Sequence, residues 1–243
     1  MRFFILAVFL SATNLFGQSG LPKLRITPLT GNYFIYTTYS TYENGLVPAH
    51  GMYVVTNTGV VLLDTPWDTT QFQPLLDSIR TRHQKNVVLC VATHWHSDRT
   101  AGLEYYRRKK IKTYTTVLTD SFSEQHNQKR AEFLMLKDTV FNIGGTSFEV
   151  YYPGGGHTED NIVLWFGKEK LLYGGCLIKG AEAQNLGYLG DANIASYQTT
   201  LRKVEQRFPD PRHIIVSHHD WTNLNSLKNS IRLAGLLAEN ERK

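Results

Sequence analysis

The stretch NVVLCVATHWHSDRTAGL, Asn86 to Leu103, sets an apolar run directly against two histidines and an aspartate at alternate positions. NVVLCVA reads as a fully buried strand, and RTAGLEYYRRKK, Arg99 to Lys110, as a helix that begins just after the histidines. If the chain stays extended past Ala92, the side chains of His94, His96 and Asp98 point to one side. A tight loop would instead bring Asp98 round to a neighbouring position. An H-x-H pair alone is as much a solvent-facing pair on a strand as a metal site. The aspartate at the next alternate position favours metal.

On the N-terminal side, LRITPL, YFIYTTYS, GMYVVTN and GVVLLDT are short runs rich in β-branched and aromatic residues. Turn signals such as Thr30-Gly31-Asn32 and Asn57-Thr58-Gly59 separate them, so they read as strands. From Asp68 to His83 the period changes, and Phe72, Leu75, Leu76 and Ile79 mark one face of a helix. The C-terminal half repeats this order with the strands TVFNI, SFEVYYP, NIVLWF, KLLYGG and HIIVSH. Tyr197, Leu201 and Val204 mark one helical stripe there, and Leu224, Leu227, Ile231 and Ala234 another. Two similar halves of strands and helices imply an α/β fold, a four-layer αββα sandwich of two packed sheets with helices outside. Chemistry would then gather along one edge, because His96, His157, Cys176 and His218 all lie in loops that follow strand-like runs.

The chain has 243 residues, enough for one sizeable core without division into several domains. Its start, MRFFILAVFLSATNLFGQSG, has one early arginine, an apolar run from Phe3 to Leu10, and then small and polar residues. That is the layout of a secretory signal peptide, and the run is too short to span a bilayer. The expected division is a signal peptide over 1–17 and one domain over 18–243, exported, soluble and monomeric. The two cysteines, Cys90 and Cys176, do not read as a disulfide, since Cys90 lies inside an apolar strand. A net charge of +5 and short patches such as RRKK, Arg107 to Lys110, lack interleaved aromatics and give nucleic-acid binding little support.

Further donors lie downstream. GGGHTEDN places His157 after three glycines that let the backbone come close to a buried centre, GGCLIKG does the same for Cys176, and HIIVSHHDW ends in His218 and His219. Imidazoles, a carboxylate and a thiolate suit zinc better than magnesium or calcium, and suffice for two ions with open positions. His50, His83, His126 and His213 read as ordinary surface or structural residues.

THWHSDRTAGL, YPGGGHTEDNIVLWF, LLYGGCLIKG and IIVSHHDW, in this order, resemble the di-zinc metallo-β-lactamases with a three-His and an Asp-Cys-His site. The H-x-H-x-D element alone is shared by thioesterases, nucleases and other hydrolases of that fold. Arg99, where many of those carry a histidine, and Cys176, where they carry an aspartate, narrow the resemblance. It implies a zinc held by His94, His96 and His157, and a second held by Asp98, Cys176 and His218, the last preferred to His219. It implies hydrolysis of the β-lactam amide bond of penicillins, cephalosporins and carbapenems in the periplasm, conferring resistance. Asp98 would ligate zinc and orient the attacking water, and Lys179 would receive the substrate carboxylate at the site mouth. Tyr188 falls where the family has a carbonyl-polarising asparagine, so Asn185 does not take that role. Thr41 to Val54 matches a mobile flap, with Gly45 and Gly51 supplying turns. Asp64 would orient ligands, and Trp67 would line the pocket. A thioesterase or lactonase of the same fold, or a zinc-binding protein without catalysis, remain the alternatives.

Overall fold

The computed structural model describes residues 23–42 and 45–240. The signal peptide expected over 1–17 lies outside them. The first sheet opens with β1 (Arg25–Thr30), β2 (Tyr33–Tyr42), β3 (Gly45–Thr56) and β4 (Gly59–Leu63), paired antiparallel in chain order. A 3-10 turn, Thr69–Gln71, leads into α1 (Phe72–His83), after which β5 (Val87–Val91) joins β4 in parallel. The turn is capped by Asp68, whose carboxylate accepts the Thr70 amide, and Phe72, Leu75 and Ile79 are the buried stripe of α1.

The helix expected over Arg99–Lys110 is two short ones, α2 (Ser97–Thr100) and α3 (Leu103–Arg108). Then follow β6 (Lys112–Thr116), α4 (Val117–Gln125) and β7 (Phe133–Met135), three elements that hydrophobic periodicity did not reveal. The strand β6, KTYTT, buries threonines where a core strand would carry aliphatics. Both β6 and β7 extend the sheet in parallel.

The second sheet comprises β8 (Thr139–Ile143), β9 (Thr146–Tyr151), β10 (Val163–Phe166), β11 (Leu171–Gly175) and, after α5 (Ile194–Arg207), β12 (His213–Val216). Helix α6 (Ser226–Asn240) ends the described chain; Leu224 precedes it and is exposed, while Leu227, Ile231 and Ala234 are buried.

Side-chain alternation builds the layers. In β4, Val61 and Leu63 enter the core between the sheets, while Val60 and Leu62 pack outward with Phe72, Leu75, Ile79 and Tyr106. In β10 and β11, Leu164 and Tyr173 face inward, and Val163 and Leu172 face Tyr197, Leu201 and Ile231 on α5 and α6. Each central strand is therefore apolar on both faces, and the αββα sandwich is the arrangement that buries both. Gly51 is not in a turn but inside β3, opposite Tyr36, where a Cβ would land on the Tyr36 ring. Two backbone bonds, His50 N to Ser217 O (2.7 Å) and Ile162 N to Thr93 O (3.0 Å), stitch the sheets together at the edge that carries the donors.

Candidate metal centre

The donors arrive at this edge from four strand ends. Past β5, the chain runs extended to His96, then turns at once into α2, so Asp98 lies inside the first turn of that helix. His94 Nε2 lies 3.2 Å from His96 Nδ1. His157, beyond β9, completes a trio of mutually near-perpendicular rings, with centroids 5.0 Å from His94 and 5.1 Å from His96. Gly156 allows this approach, because its backbone presses against Leu177 and Tyr197 with no room for a side chain.

Cys176, just past β11, and His218, past β12, meet Asp98. Cys176 Sγ lies 3.4 Å from Asp98 Oδ2 and 3.3 Å from His218 Nε2, and His218 Nε2 lies 3.0 Å from Asp98 Oδ2. Among the described residues, three overlapping sets bring metal-ligating atoms within 4.8 Å of one another: Asp98, Cys176 and His218; His94, His96 and Asp98; and His94, His157 and Cys176. The structure thus gathers all six expected donors into one cluster, and His219 belongs to none of the sets.

The surroundings set the donors' tautomers and charges. His218 donates through Nδ1 to Pro48 O at 2.8 Å, which leaves Nε2 facing Asp98 and Cys176. Asp191 accepts from His96 Nε2 at 2.9 Å, which leaves Nδ1 facing His94. Asp191 carries no sequence signal of its own, being 95 positions from its partner. Burial holds His94 and His157 well below the ordinary histidine range, so both are neutral with a lone pair to offer. Burial pulls His218 down as well, but Cys176 and Asp98 beside it outweigh this and raise the imidazole to about 9. The Asp98 carboxylate and the Cys176 sulfur therefore favour a positive charge beside them.

Arg99 lies beneath it, 1% exposed, with Nε 2.9 Å from Asp98 Oδ2 and Nη1 2.8 Å from His50 O. Although burial opposes ionisation, Arg99 and His218 hold the Asp98 carboxyl well below the usual range. Asp64, at φ +61° and fully buried, accepts from Thr93 N (2.7 Å), Thr93 Oγ1 (2.9 Å) and Tyr173 Oη (2.7 Å). A non-glycine residue held left-handed by these three bonds marks a place where backbone strain serves the site.

The donors open into a cleft of about 760 Å³, walled by Trp67, Leu46, Val47, Trp95 and Tyr188. Trp67 stands edge-on to His218, with ring centroids 6.0 Å apart. Lys179 lines the cleft too, but at 5% exposure it is set into the wall rather than extended at the mouth, and burial lowers its pKa. Asn185 is exposed in a turn, where its Oδ1 accepts from Gly187 N at 2.9 Å, and it does not line the cleft. The other histidines have neighbours elsewhere: His50 contacts Thr37 Oγ1, His83 contacts Tyr53 Oη, and His126 stacks on Trp95.

The sequence profile of the metallo-β-lactamase superfamily matches residues 45–219. A type 2 metallo-β-lactamase of Elizabethkingia meningoseptica is 38% identical over 229 residues, 94% of this chain and 92% of its own. The metallo-β-lactamase IND-1 of Chryseobacterium indologenes is 36% identical over 96% of this chain and 97% of its own. The solved structure of a metallo-β-lactamase from Pontibacter korlensis superposes with a TM-score of 0.85 at 36% identity, covering 88% of this chain and 99% of that one. With the likeness extending through the whole sandwich and its metal-ligating edge, the chain belongs to the metallo-β-lactamase family.

Proposed function

We propose that this protein is a zinc-dependent β-lactamase that hydrolyses the amide bond of penicillins, cephalosporins and carbapenems and so confers resistance to them. The observation that carries this reading is the joining of six donors in one cluster to a single cleft, walled by apolar side chains and containing one buried lysine. The donors fit zinc. Neutral imidazoles, a thiolate and an ionised carboxylate are its preferred ligands, and each group leaves room for a further ligand. His94, His96 and His157 would hold one ion, and Asp98, Cys176 and His218 the other.

Zinc, when bound, supplies an acidified water near neutral pH and positive charge opposite the charge that develops as the amide breaks. The protein's own residues position the substrate and the donors. Lys179 attracts the carboxylate that β-lactams carry beside the ring nitrogen, and its burial strengthens that attraction. Trp67, Leu46 and Val47 cover the bicyclic nucleus and keep bulk water out. Asp98 accepts hydrogen bonds from Arg99 on one side and stays ionised, so its other face is free to orient the attacking water. Asp191 and Pro48 accept the outward N–H of His96 and His218, so that Nδ1 of His96 and, once its proton is displaced by the ion, Nε2 of His218 would be the nitrogens offered inward.

Export through a signal peptide over 1–17 to the periplasm, with 18–243 as a monomeric domain, completes the proposal. No helix among the described residues is long and apolar enough to cross a membrane. The decisive experiment is hydrolysis of a penicillin, a cephalosporin and a carbapenem by the purified mature protein, with added zinc and with a chelator. Failure of the zinc-replete protein to hydrolyse any of them overturns the reading. Metal analysis of Cys176→Ser tests the second ion: an unchanged stoichiometry of two removes Cys176 from the ligand set.

A further inference from the structure

One residue of the cleft has chemistry that neither the donors nor Lys179 account for. Tyr188 is 51% exposed, yet it is held in place rather than free. Its ring stands edge-on to His96 at a centroid distance of 6.0 Å, and its hydroxyl lies beside the Asp191 carboxylate that also receives His96. The loop GYLGD, Gly187 to Asp191, is shaped around it. Gly187 turns the chain at φ +69°, and the phenol folds back over Gly190 so closely that a Cβ there would land on it. The hydroxyl faces Asp191, while the ring is presented to the cleft.

Trp67 occupies the corresponding place on the side of His218, and Tyr42, 44% exposed at the end of β2, lies 6.4 Å from it. The two metal-ligating groups are therefore flanked by aromatic rings, one contributed by the 187–191 loop and two by the other wall. An exposed ring beside a polar centre gains most from a ligand that brings its own ring to stack or meet it edge-on.

We infer that Tyr188 is a specificity-determining residue that, together with Trp67 and Tyr42, selects β-lactams bearing an aromatic acyl side chain. The inference rests on the β-lactamase reading above. The test compares two penicillins with the same nucleus, benzylpenicillin, which carries a phenyl ring, and 6-aminopenicillanic acid, which carries no acyl group. The quantity read is the ratio of their kcat/KM values. An aromatic contact of this kind corresponds to about a three- to tenfold preference, so Tyr188→Ala lowers the ratio by about that factor, chiefly through KM for benzylpenicillin. Tyr188→Phe restores the ratio, since the ring carries the effect. Gly190→Ala, whose backbone lies outside the left-handed region, displaces the phenol without removing it and shifts the ratio in the same direction as Tyr188→Ala. A merely structural role would lower both substrates alike and leave the ratio unmoved, which overturns the inference. So does a fall in kcat for both substrates in Tyr188→Phe, which would make the hydroxyl, not the ring, the functional group. If the wild-type protein turns over neither penicillin, the β-lactamase reading fails first, and the inference with it.

Discussion

At the scale of single residues, the site depends on groups outside the expected donor set that hold the donors in place. Asp191 governs His96 by accepting its Nε2 proton, and removing such a partner typically weakens metal affinity by about 10- to 100-fold. Asp191→Ala is expected to do so here, with competition against a chromophoric chelator as the measurement; an affinity within twofold of wild type would show that His96 keeps its tautomer unaided. His50 behaves differently. Burial, helped by His218 and Arg99, lowers it to about 4 from the ordinary 6.5. The unfolded chain thus binds more protons than the folded one between those values, so stability is complete above pH 6.5 and is lost as pH falls towards 4. By linkage, the loss between pH 7.5 and 5 is about 2 kcal/mol. His50→Gln is expected to remove that part of the pH dependence in urea unfolding. An identical pH dependence in the variant would assign it to other groups.

At the scale of elements, strand β3 shows how far a sequence pattern carries. GMYVVTN was legible as a strand, while Thr41 to Val54 read as a flap through the family resemblance, with Gly45 and Gly51 supplying turns. The structure pairs β2 and β3 from Tyr33↔Val54 to Tyr42↔Gly45, which puts Gly51 inside the ladder rather than in a turn. Gly51 is there for space. Tyr36 lies across it and donates its hydroxyl to Leu63 O at 3.1 Å. Gly51→Ala overpacks this contact at a cost of about 1–3 kcal/mol, which lowers Tm by about 2–4 °C per kcal/mol in a chain of this size. Differential scanning calorimetry reads the change, and an unaltered Tm would mean that Tyr36 can move without loss. Strand β6 and helix α4 escaped the sequence reading for the opposite reason. Their buried positions are Thr113, Thr115, Thr119, Asp120 and Ser123, polar by type, whose burial depends on what packs over them.

At the scale of the whole molecule, the donors belong to both sheets. His94, His96 and Asp98 follow β5 of the first, whereas His157, Cys176 and His218 follow β9, β11 and β12 of the second. A metal held by members of both sets ties the layers together, so its binding free energy adds to the stability of the sandwich. Free zinc at 100 times its Kd stabilises by about 2.7 kcal/mol per site. A strong chelator is expected to lower Tm by several degrees and zinc to restore it in a concentration-dependent way; a Tm indifferent to both would mean that the ions do not bridge the sheets.

Periodicity made the sandwich readable along the chain, and the strand-ending histidines with Arg99 and Cys176 carried the resemblance that named its family and drew attention to the six side chains that the fold brings together. These features are local, and side-chain alternation converts them directly into faces. Other features required the folded molecule: the burial of Lys179, the partnership of Asp191 with His96, the orientation of His218 by Pro48 and the seat of Tyr188 over Gly190. Each of these is a meeting of distant segments or a matter of local space, set by how two sheets pack and how loops close over their edge, and no spacing along the chain encodes it.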